Sequence, residues 1–150
     1  MKKIYIPFLL VLFVACSSND SATDYTEANE QEILDYITEN NLVAQKSATG
    51  LYYIINESGT GRQPNSNSNV TVAYKGYYTN GTVFDQSDAQ GISFNLNGVI
   101  PGWTEGIAYF KEGGSGVLLI PSRLAYGAND NRGIPGGSVL IFDVILLSIN

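Results

Sequence analysis

The chain has 150 residues, and 44% of them are hydrophobic, which suffices for one globular domain with a buried core. Its formal net charge of −6 argues against general nucleic-acid binding, which requires cations against the phosphates. The sequence contains no histidine and one cysteine, so histidine-based triads, an intramolecular disulfide and a cysteine-ligated zinc site are excluded. Composition alone therefore removes most hydrolytic and metal-dependent chemistry.

The N-terminus has the pattern of an export signal. Two lysines precede an apolar run over residues 4–15, which has the length of a signal-peptide core and is too short to cross a bilayer. The run ends in Ala15, and the single cysteine, Cys16, follows it; this junction resembles the bacterial lipobox. We therefore expect residues 1–15 to be a lipoprotein signal peptide and Cys16 to carry lipid, which would anchor the protein in a membrane facing the periplasm or the cell exterior. Two alternatives are an ordinary secretory signal with a chance cysteine and a short buried helix.

Residues 16–45 are predicted to be a polar tether followed by an acidic helical arm. Seven acidic residues lie between Asp20 and Glu39, and no lysine or arginine occurs between positions 4 and 45. A helix is predicted over residues 27–41, with Thr26 as its N-cap and acidic side chains in its first turns, where the helix dipole favours them. A narrow apolar stripe runs along this helix: Ile33, Leu34 and Ile37. The stripe leaves two interpretations open, a solvated spacer or a helix that docks on its own domain or on a second copy.

Residues 46–150 are predicted to form the folded domain, because their hydrophobic period is mostly two. The dipeptide Asn80-Gly81 between two β-forming segments predicts a hairpin. The one good helical window is 102–110, and the glycine-rich stretch 127–137 is predicted to be a long loop. Strands are predicted at 50–55, 70–75, around Phe94 and Leu96, 117–120 and 139–147. Several short strands with one short helix predict an α+β domain built on an antiparallel sheet.

Three segments of this domain carry motifs that point to a family. They read VAYKGYYTNGTVFD at 72–85, VIPGWTEG at 99–106, and IPSRLAYGA with a later GIPGGSVLIFDVILL within 120–147. In this order and spacing they closely resemble the FKBP-type peptidyl-prolyl cis/trans isomerases, over about residues 50–149. The resemblance implies an FKBP-like twisted antiparallel β-sheet wrapped around one short α-helix, here preceded by the acidic arm.

The resemblance also implies a set of site residues. Three of them would be catalytic: Tyr74, Asp85 and Tyr126. Six others would enclose the prolyl ring of a substrate: Phe84, Val99, Ile100, Trp103, Ile134 and Phe142. In this arrangement the Trp103 ring forms the floor of the pocket and the Tyr126 hydroxyl donates a hydrogen bond to a substrate carbonyl. Tyr74 and Asp85 shape and polarise one wall.

The implied activity is isomerisation of peptidyl-prolyl bonds during the folding of exported proteins, without a cofactor. Rotation about the prolyl bond breaks no covalent bond, so it needs no nucleophile or metal. A twisted amide is less dipolar than a planar one, so an apolar aromatic box favours the twisted state. The resemblance implies proline-containing polypeptides as substrates and macrolide inhibitors as further ligands. A non-catalytic binding or chaperone module on the membrane surface is the alternative, because fold does not fix function.

Overall fold

The computed structural model describes residues 23–150; the predicted signal peptide and Cys16 lie outside the described residues. In this range the chain forms an α+β fold with a seven-stranded antiparallel sheet and two α-helices. The strands are β1 (Gln45–Lys46), β2 (Tyr52–Glu57), β3 (Asn69–Tyr77), β4 (Val83–Gln86), β5 (Ile92–Asn95), β6 (Ser115–Ile120) and β7 (Leu140–Ile149). The helices are α1 (Thr26–Glu39) and α2 (Pro101–Ile107). Neither of them is both long enough and apolar enough to cross a membrane.

The sheet has the strand order β1-β2-β6-β7-β3-β4, and β5 also pairs with β3. Strands β4 and β5 share one edge of β3: β4 pairs near its C-terminal end and β5 near its N-terminal end. The predicted hairpin at Asn80-Gly81 is confirmed, since it joins β3 to β4 and the Tyr78 amide donates to the Thr82 carbonyl at 3.0 Å. The predicted antiparallel α+β class is likewise confirmed.

Alternation along β7 separates the two faces of the sheet. Four of its side chains point into the main core, beside α2, and are at most 4% exposed: Leu140, Phe142, Val144 and Leu146. The residues between them, including Ile141 and Asp143, point to the opposite face, which we call the outer face. Successive side chains of a strand point to opposite faces of the sheet, so a strand between two different environments has a two-residue period in its sequence.

Helix α1 packs on the outer face. Ile33, 1% exposed, contacts a second buried cluster that comprises Tyr52, Leu119, Val139 and Ile141. Leu34, the second residue of the predicted stripe, is 40% exposed. Of the two interpretations of the acidic arm, the structure therefore shows the docked helix, with Ile33 as its anchor.

The local details of α1 and β5 differ from the sequence-based expectation. Thr26 is not the N-cap: Tyr25 precedes the helix without a side-chain cap, and the Thr26 amide instead donates to Asp24 Oδ1 at 2.9 Å. At the other end Asn40 is the C-cap and Asn41 has a φ of +52°, as expected for a helix stop. Strand β5 ends before Leu96, which is buried in a short 3-10 turn.

One ion pair ties α1 to the first strands. Lys46 Nζ lies 2.6 Å from Glu30 Oε1, and the Tyr52 hydroxyl donates to the same oxygen. These two hydrogen bonds, the one from Lys46 first, lower the pKa of Glu30 below its ordinary value of 4.5. A carboxyl with a depressed pKa stabilises the folded state above its unfolded pKa, and this contribution is lost as the pH falls through the folded pKa.

We expect Glu30→Gln to lower the free energy of unfolding at neutral pH by less than about 1 kcal/mol, because the pair is partly exposed. The difference between wild type and Glu30→Gln should shrink as the pH falls through the folded-state pKa of Glu30 and should disappear below it, where Glu30 is protonated in both states. Urea unfolding at several pH values measures this. The matched control is Glu27→Gln, an exposed position on the first turn of α1. An equal pH dependence of the two variants would contradict the assignment to Glu30.

Candidate active site

The position of Trp103 is set by the close approach of α2 to β6. A Cβ at Gly102 would lie 2.5 Å from Ile120, and one at Gly106 would lie 2.7 Å from Leu118. These glycines let the helix backbone rest on the β6 side chains. Pro101 occupies the first turn, where its missing amide proton costs nothing, and the Trp103 amide donates to the Ile100 carbonyl at 2.9 Å. Trp103 is thereby held in the first turn of α2, between helix and sheet.

Aromatic rings surround Trp103 on the inner face of the sheet. The Tyr74 and Phe142 rings stand nearly perpendicular to the indole, with centroid distances of 4.9 and 5.1 Å. Phe94 lies 5.3 Å away in a tilted arrangement. Edge-to-face pairs at these distances are favourable beyond the area they bury. The rings therefore brace one another and form a rigid apolar wall.

Gly76 makes room for two of these rings. A Cβ on Gly76 would lie 2.7 Å from Phe142 Cε1 and 2.8 Å from Phe84 Cζ. Because Gly76 lacks that atom, Phe84 and Phe142 meet edge to face over the β3 backbone, with centroids 5.5 Å apart. The glycine of the VAYKG segment thus shapes the cavity through its missing side chain.

The rings enclose a cavity of about 320 Å³ that opens to the surface. Its lining comprises Tyr74, Phe84, Asp85, Ile92, Phe94, Gly98, Val99, Ile100, Trp103, Tyr126, Arg132 and Phe142. Larger but shallow grooves lie elsewhere, on the outer face of β3 and β7 and beside α2. They lack the ring of aromatic side chains, so this cavity is the best candidate for binding a compact apolar group.

A single polar pair stands on one wall of the cavity. The Tyr74 hydroxyl donates to Asp85 Oδ2 at 2.6 Å. Burial, followed by the hydrogen bond to Asp85 and its negative charge, raises the pKa of Tyr74 far above its ordinary value of 10.0. Tyr74 therefore remains a protonated donor at every physiological pH, and the Asp85 carboxylate adds a fixed negative charge to this wall.

The buried floor also holds an unpaired polar atom. Trp103 is 5% exposed, and its Nε1 has no hydrogen-bond partner in residues 23–150. A buried donor without a partner costs about 1–3 kcal/mol. The unpaired Trp103 Nε1 thus lowers stability, so the floor of the cavity is not optimised for stability alone.

The structure brings together eight of the nine predicted pocket residues around this cavity. Ile134 is the exception, because it does not line the cavity; it is 9% exposed and belongs to the main core. Sequence reasoning omitted four lining residues: Ile92, Phe94, Gly98 and Arg132. Phe94 was recognisable as an inward residue from its alternation in β5. Arg132 carried no such signal, since it reaches the cavity from the long loop with a φ of +49°.

Comparisons with known proteins point to one family. The FKBP-type peptidyl-prolyl cis-trans isomerase family profile matches residues 60–147, more than half of the chain. The FKBP-type isomerase FkpA of Escherichia coli (strain K12) is 49% identical over 105 residues, 69% of this chain and 39% of that protein. The probable FkpA of Neisseria meningitidis serogroup B is 43% identical over 130 residues, 82% of this chain and 47% of that protein.

Solved structures show the same fold. The crystal structure of Escherichia coli FkpA matches with a TM-score of 0.74 and 41% identity, over 83% of this chain and 60% of that one. An isomerase structure from Pseudomonas syringae pv. tomato matches with a TM-score of 0.71 and 31% identity, over 83% of this chain and 96% of that one. This chain spans about two fifths of the length of the curated FkpA protein from Escherichia coli. The family profile, these relatives and the fold together show that the chain belongs to the FKBP-type peptidyl-prolyl cis-trans isomerase family.

Proposed function

We propose that this protein is a peptidyl-prolyl cis/trans isomerase that acts on proline-containing segments of polypeptides. The observation that carries the proposal is the cavity floored by Trp103, with Tyr74 and Phe142 standing perpendicular to the indole. A prolyl ring is compact and apolar, and this lining offers it aromatic faces on several sides. The family to which the chain belongs is named for this reaction.

An apolar cavity of this kind can catalyse the rotation without covalent chemistry. The barrier of about 18–20 kcal/mol reflects the resonance of the planar amide. The planar amide is more dipolar than the twisted one, so transfer from water into an apolar box disfavours the ground state relative to the transition state. A thousandfold acceleration requires only about 4 kcal/mol. Desolvation of the amide, together with one or two well-placed hydrogen bonds, can lower the barrier by this amount.

The polar groups have separate proposed roles. Tyr126 is 38% exposed at the rim, where its hydroxyl can donate to a substrate carbonyl. Tyr74 and Asp85, joined by their hydrogen bond, present an oriented dipole and a negative charge to the amide as it twists. The apolar rim, including Ile92 and Val99, favours an apolar residue before the proline. Macrolide inhibitors are proposed as ligands of the same cavity.

Isomerase activity should be measured on short X-Pro peptides with the wild-type protein and Tyr126→Phe. We expect wild-type catalysis, and a loss of about three- to tenfold in kcat/KM for Tyr126→Phe, because one hydrogen bond contributes about 0.5–1.5 kcal/mol. The matched control is Tyr53→Phe, which removes a hydroxyl bonded to Gln45, away from the cavity lining. Its activity should equal that of the wild type.

A folded protein without catalysis would overturn the proposed activity and favour the non-catalytic binding or chaperone module. Two further assays separate those alternatives. Binding of an apolar proline peptide without turnover indicates a binding module. Suppression of aggregation of a client that contains no proline indicates a chaperone.

We further propose that the protein is a lipoprotein, anchored through Cys16 to a membrane and assisting the folding of exported proteins. The support is the apolar run ending in Ala15 directly before the single cysteine. Two or more acyl chains hold a protein stably on a bilayer. Wild-type protein expressed in a bacterial host should carry acyl chains by mass spectrometry and sediment with membranes. Cys16→Ser should lose both properties, and an unmodified Cys16 in the wild-type protein would refute the anchor.

A further inference from the structure

The acidic arm carries one buried polar side chain that its own helix does not need. Asn29 is 2% exposed, although it lies on α1, whose other polar side chains are partly or fully exposed. Its backbone amide already donates within the first turn, to the Tyr25 carbonyl at 2.8 Å. Buried amide side chains are retained where they find partners. The partners of Asn29 therefore show what this residue does.

Both partners of the Asn29 side chain belong to the segment around the cavity rim. Its Nδ2 donates to the Gly137 carbonyl at 2.8 Å, and its Oδ1 accepts from the Ser122 amide at 2.8 Å. Both hydrogen bonds are buried. A single side chain thus joins the two ends of the segment that contains Tyr126 and the 127–137 loop.

These contacts lie at the neck of that loop, which we define as Ser122, Gly127 and Gly137. The Gly127 amide donates to the Ser122 carbonyl at 2.8 Å, and the Gly137 amide donates to the Gly127 carbonyl at 2.9 Å. The side-chain amide of Asn29 completes the neck: its Oδ1 accepts from the Ser122 amide, and its Nδ2 donates to the Gly137 carbonyl. Because Tyr126 is covalently bonded to Gly127, its position depends on this neck.

Tyr25, at the start of the same helix, supports the neck by packing. A Cβ on Gly137 would lie 2.5 Å from Tyr25 Cδ1, closer than real side chains approach, and Gly137 has a φ of +77°. Only glycine combines that backbone conformation with such close approach of a ring. The N-terminal end of α1 therefore contacts the neck both through Asn29 and through Tyr25.

Beyond the neck the loop is a compact unit. Asn131 and Ile134 exchange backbone hydrogen bonds of 2.9 and 2.8 Å, and Asp130 Oδ1 accepts from the Gly136 amide at 2.8 Å. Ile134 is inserted into the main core. Because Ile134 holds this part of the loop in the core, a displacement of the neck would change the position of Tyr126 relative to Arg132, which lines the cavity together with it.

We propose that Asn29 is a positioning residue of the isomerase site, which holds the neck of the 127–137 loop so that Tyr126 stands at the rim of the cavity. This inference rests on the proposed function, since it assigns Asn29 an effect through the hydroxyl that contacts substrate. Under this proposal the acidic arm helps to shape the isomerase site. It also accounts for an asparagine at a position where the helix alone would favour an apolar residue.

The test compares Asn29→Ala, Asn29→Asp and Asn40→Ala in the purified protein. Asn29→Ala leaves the Ser122 amide and the Gly137 carbonyl unpaired, and we expect kcat/KM for X-Pro peptides to fall about three- to tenfold. Asn29→Asp keeps the acceptor for the Ser122 amide but sets a buried carboxylate oxygen against the Gly137 carbonyl oxygen, so its kcat/KM should fall at least as far as that of Asn29→Ala. Asn40→Ala is the matched control, since Asn40 bonds only to the Tyr36 carbonyl of its own helix; it should leave kcat/KM unchanged.

Amide hydrogen exchange gives a readout that does not depend on activity. Exchange at Ser122 should accelerate in Asn29→Ala and stay slow in Asn29→Asp, which retains the acceptor. Exchange at Gly127 should accelerate in Asn29→Ala if the neck opens. Unchanged exchange at both amides in Asn29→Ala would overturn the proposal, even if activity fell.

A double-mutant cycle with Tyr126→Phe tests whether Asn29 acts through Tyr126. If it does, Asn29→Ala should cost less in the Tyr126→Phe protein than in the wild type, whereas a general loss of stability would give additive effects. Additive effects at temperatures where all variants are folded would overturn the proposal. An inactive wild-type protein with the expected exchange pattern would overturn the proposed function, and Asn29 would then order the loop without a catalytic consequence.

Discussion

Replacing Trp103 with alanine is expected to abolish measurable isomerase activity and to lower the free energy of unfolding by about 3–5 kcal/mol. Trp103 is 5% exposed and contacts three aromatic rings of the cavity, so its loss removes the floor and the support of the walls together. Urea unfolding measures the loss of stability. The activity, as kcat/KM for X-Pro peptides, is measured without denaturant under conditions where the variant is folded.

Phe110→Ala separates the two effects of this substitution. Phe110 is fully buried in the same core but does not line the cavity. It should lose a similar amount of stability, while its folded fraction keeps most of the isomerase activity. Trp103→Phe, which preserves an aromatic floor of smaller size, should fall between Trp103→Ala and the wild type in both measurements. Equal activity losses in Phe110→Ala and Trp103→Ala would contradict a specific role of Trp103 in binding.

Helix α1 should contribute strongly to the stability of the protein through Ile33. Ile33→Ala is expected to lower the free energy of unfolding by about 2–5 kcal/mol, because Ile33 fills the cluster between α1 and the outer face of the sheet. The neighbouring substitution Leu34→Ala removes a comparable side chain that is 40% exposed, and it should cost less than about 1 kcal/mol. Urea unfolding of the two variants gives the comparison.

A small effect of Ile33→Ala, equal to that of Leu34→Ala, would mean that α1 does not stay docked in solution. The first interpretation of the acidic arm, a solvated spacer, would then hold. The two residues are adjacent and similar in size, so the comparison isolates burial from the amount of apolar side chain removed; replacing β-branched Ile33 by alanine gains more helix propensity than replacing Leu34, which works against the expected difference.

Most secondary-structure elements of the domain follow from local sequence patterns, and the family motifs contain eight of the twelve residues that line the cavity. A two-residue period and the Asn80-Gly81 turn are local signals, because pleat geometry and turn conformation depend on neighbouring residues. The motif segments around Tyr74, Trp103 and Tyr126 placed the aromatic floor and its polar partners on the correct elements. Local pattern was less reliable for Thr26: threonine is a common N-cap residue, but the helix begins after Tyr25 and no side chain caps it.

The docking of the arm, and the choice of loop residues that face the cavity, depend on contacts between segments far apart in the chain. The stripe on α1 could not distinguish docking from exposure, because Ile33 and Leu34 are equally apolar and only the sheet beside them differs. Ile134 was expected in the cavity, but the fold of its loop turns it into the core instead. Asn29 gave no signal at all, since its partners Gly137 and Ser122 lie 108 and 93 positions away. A buried polar group is explained by the groups that satisfy it, and those are brought together only when the chain has folded.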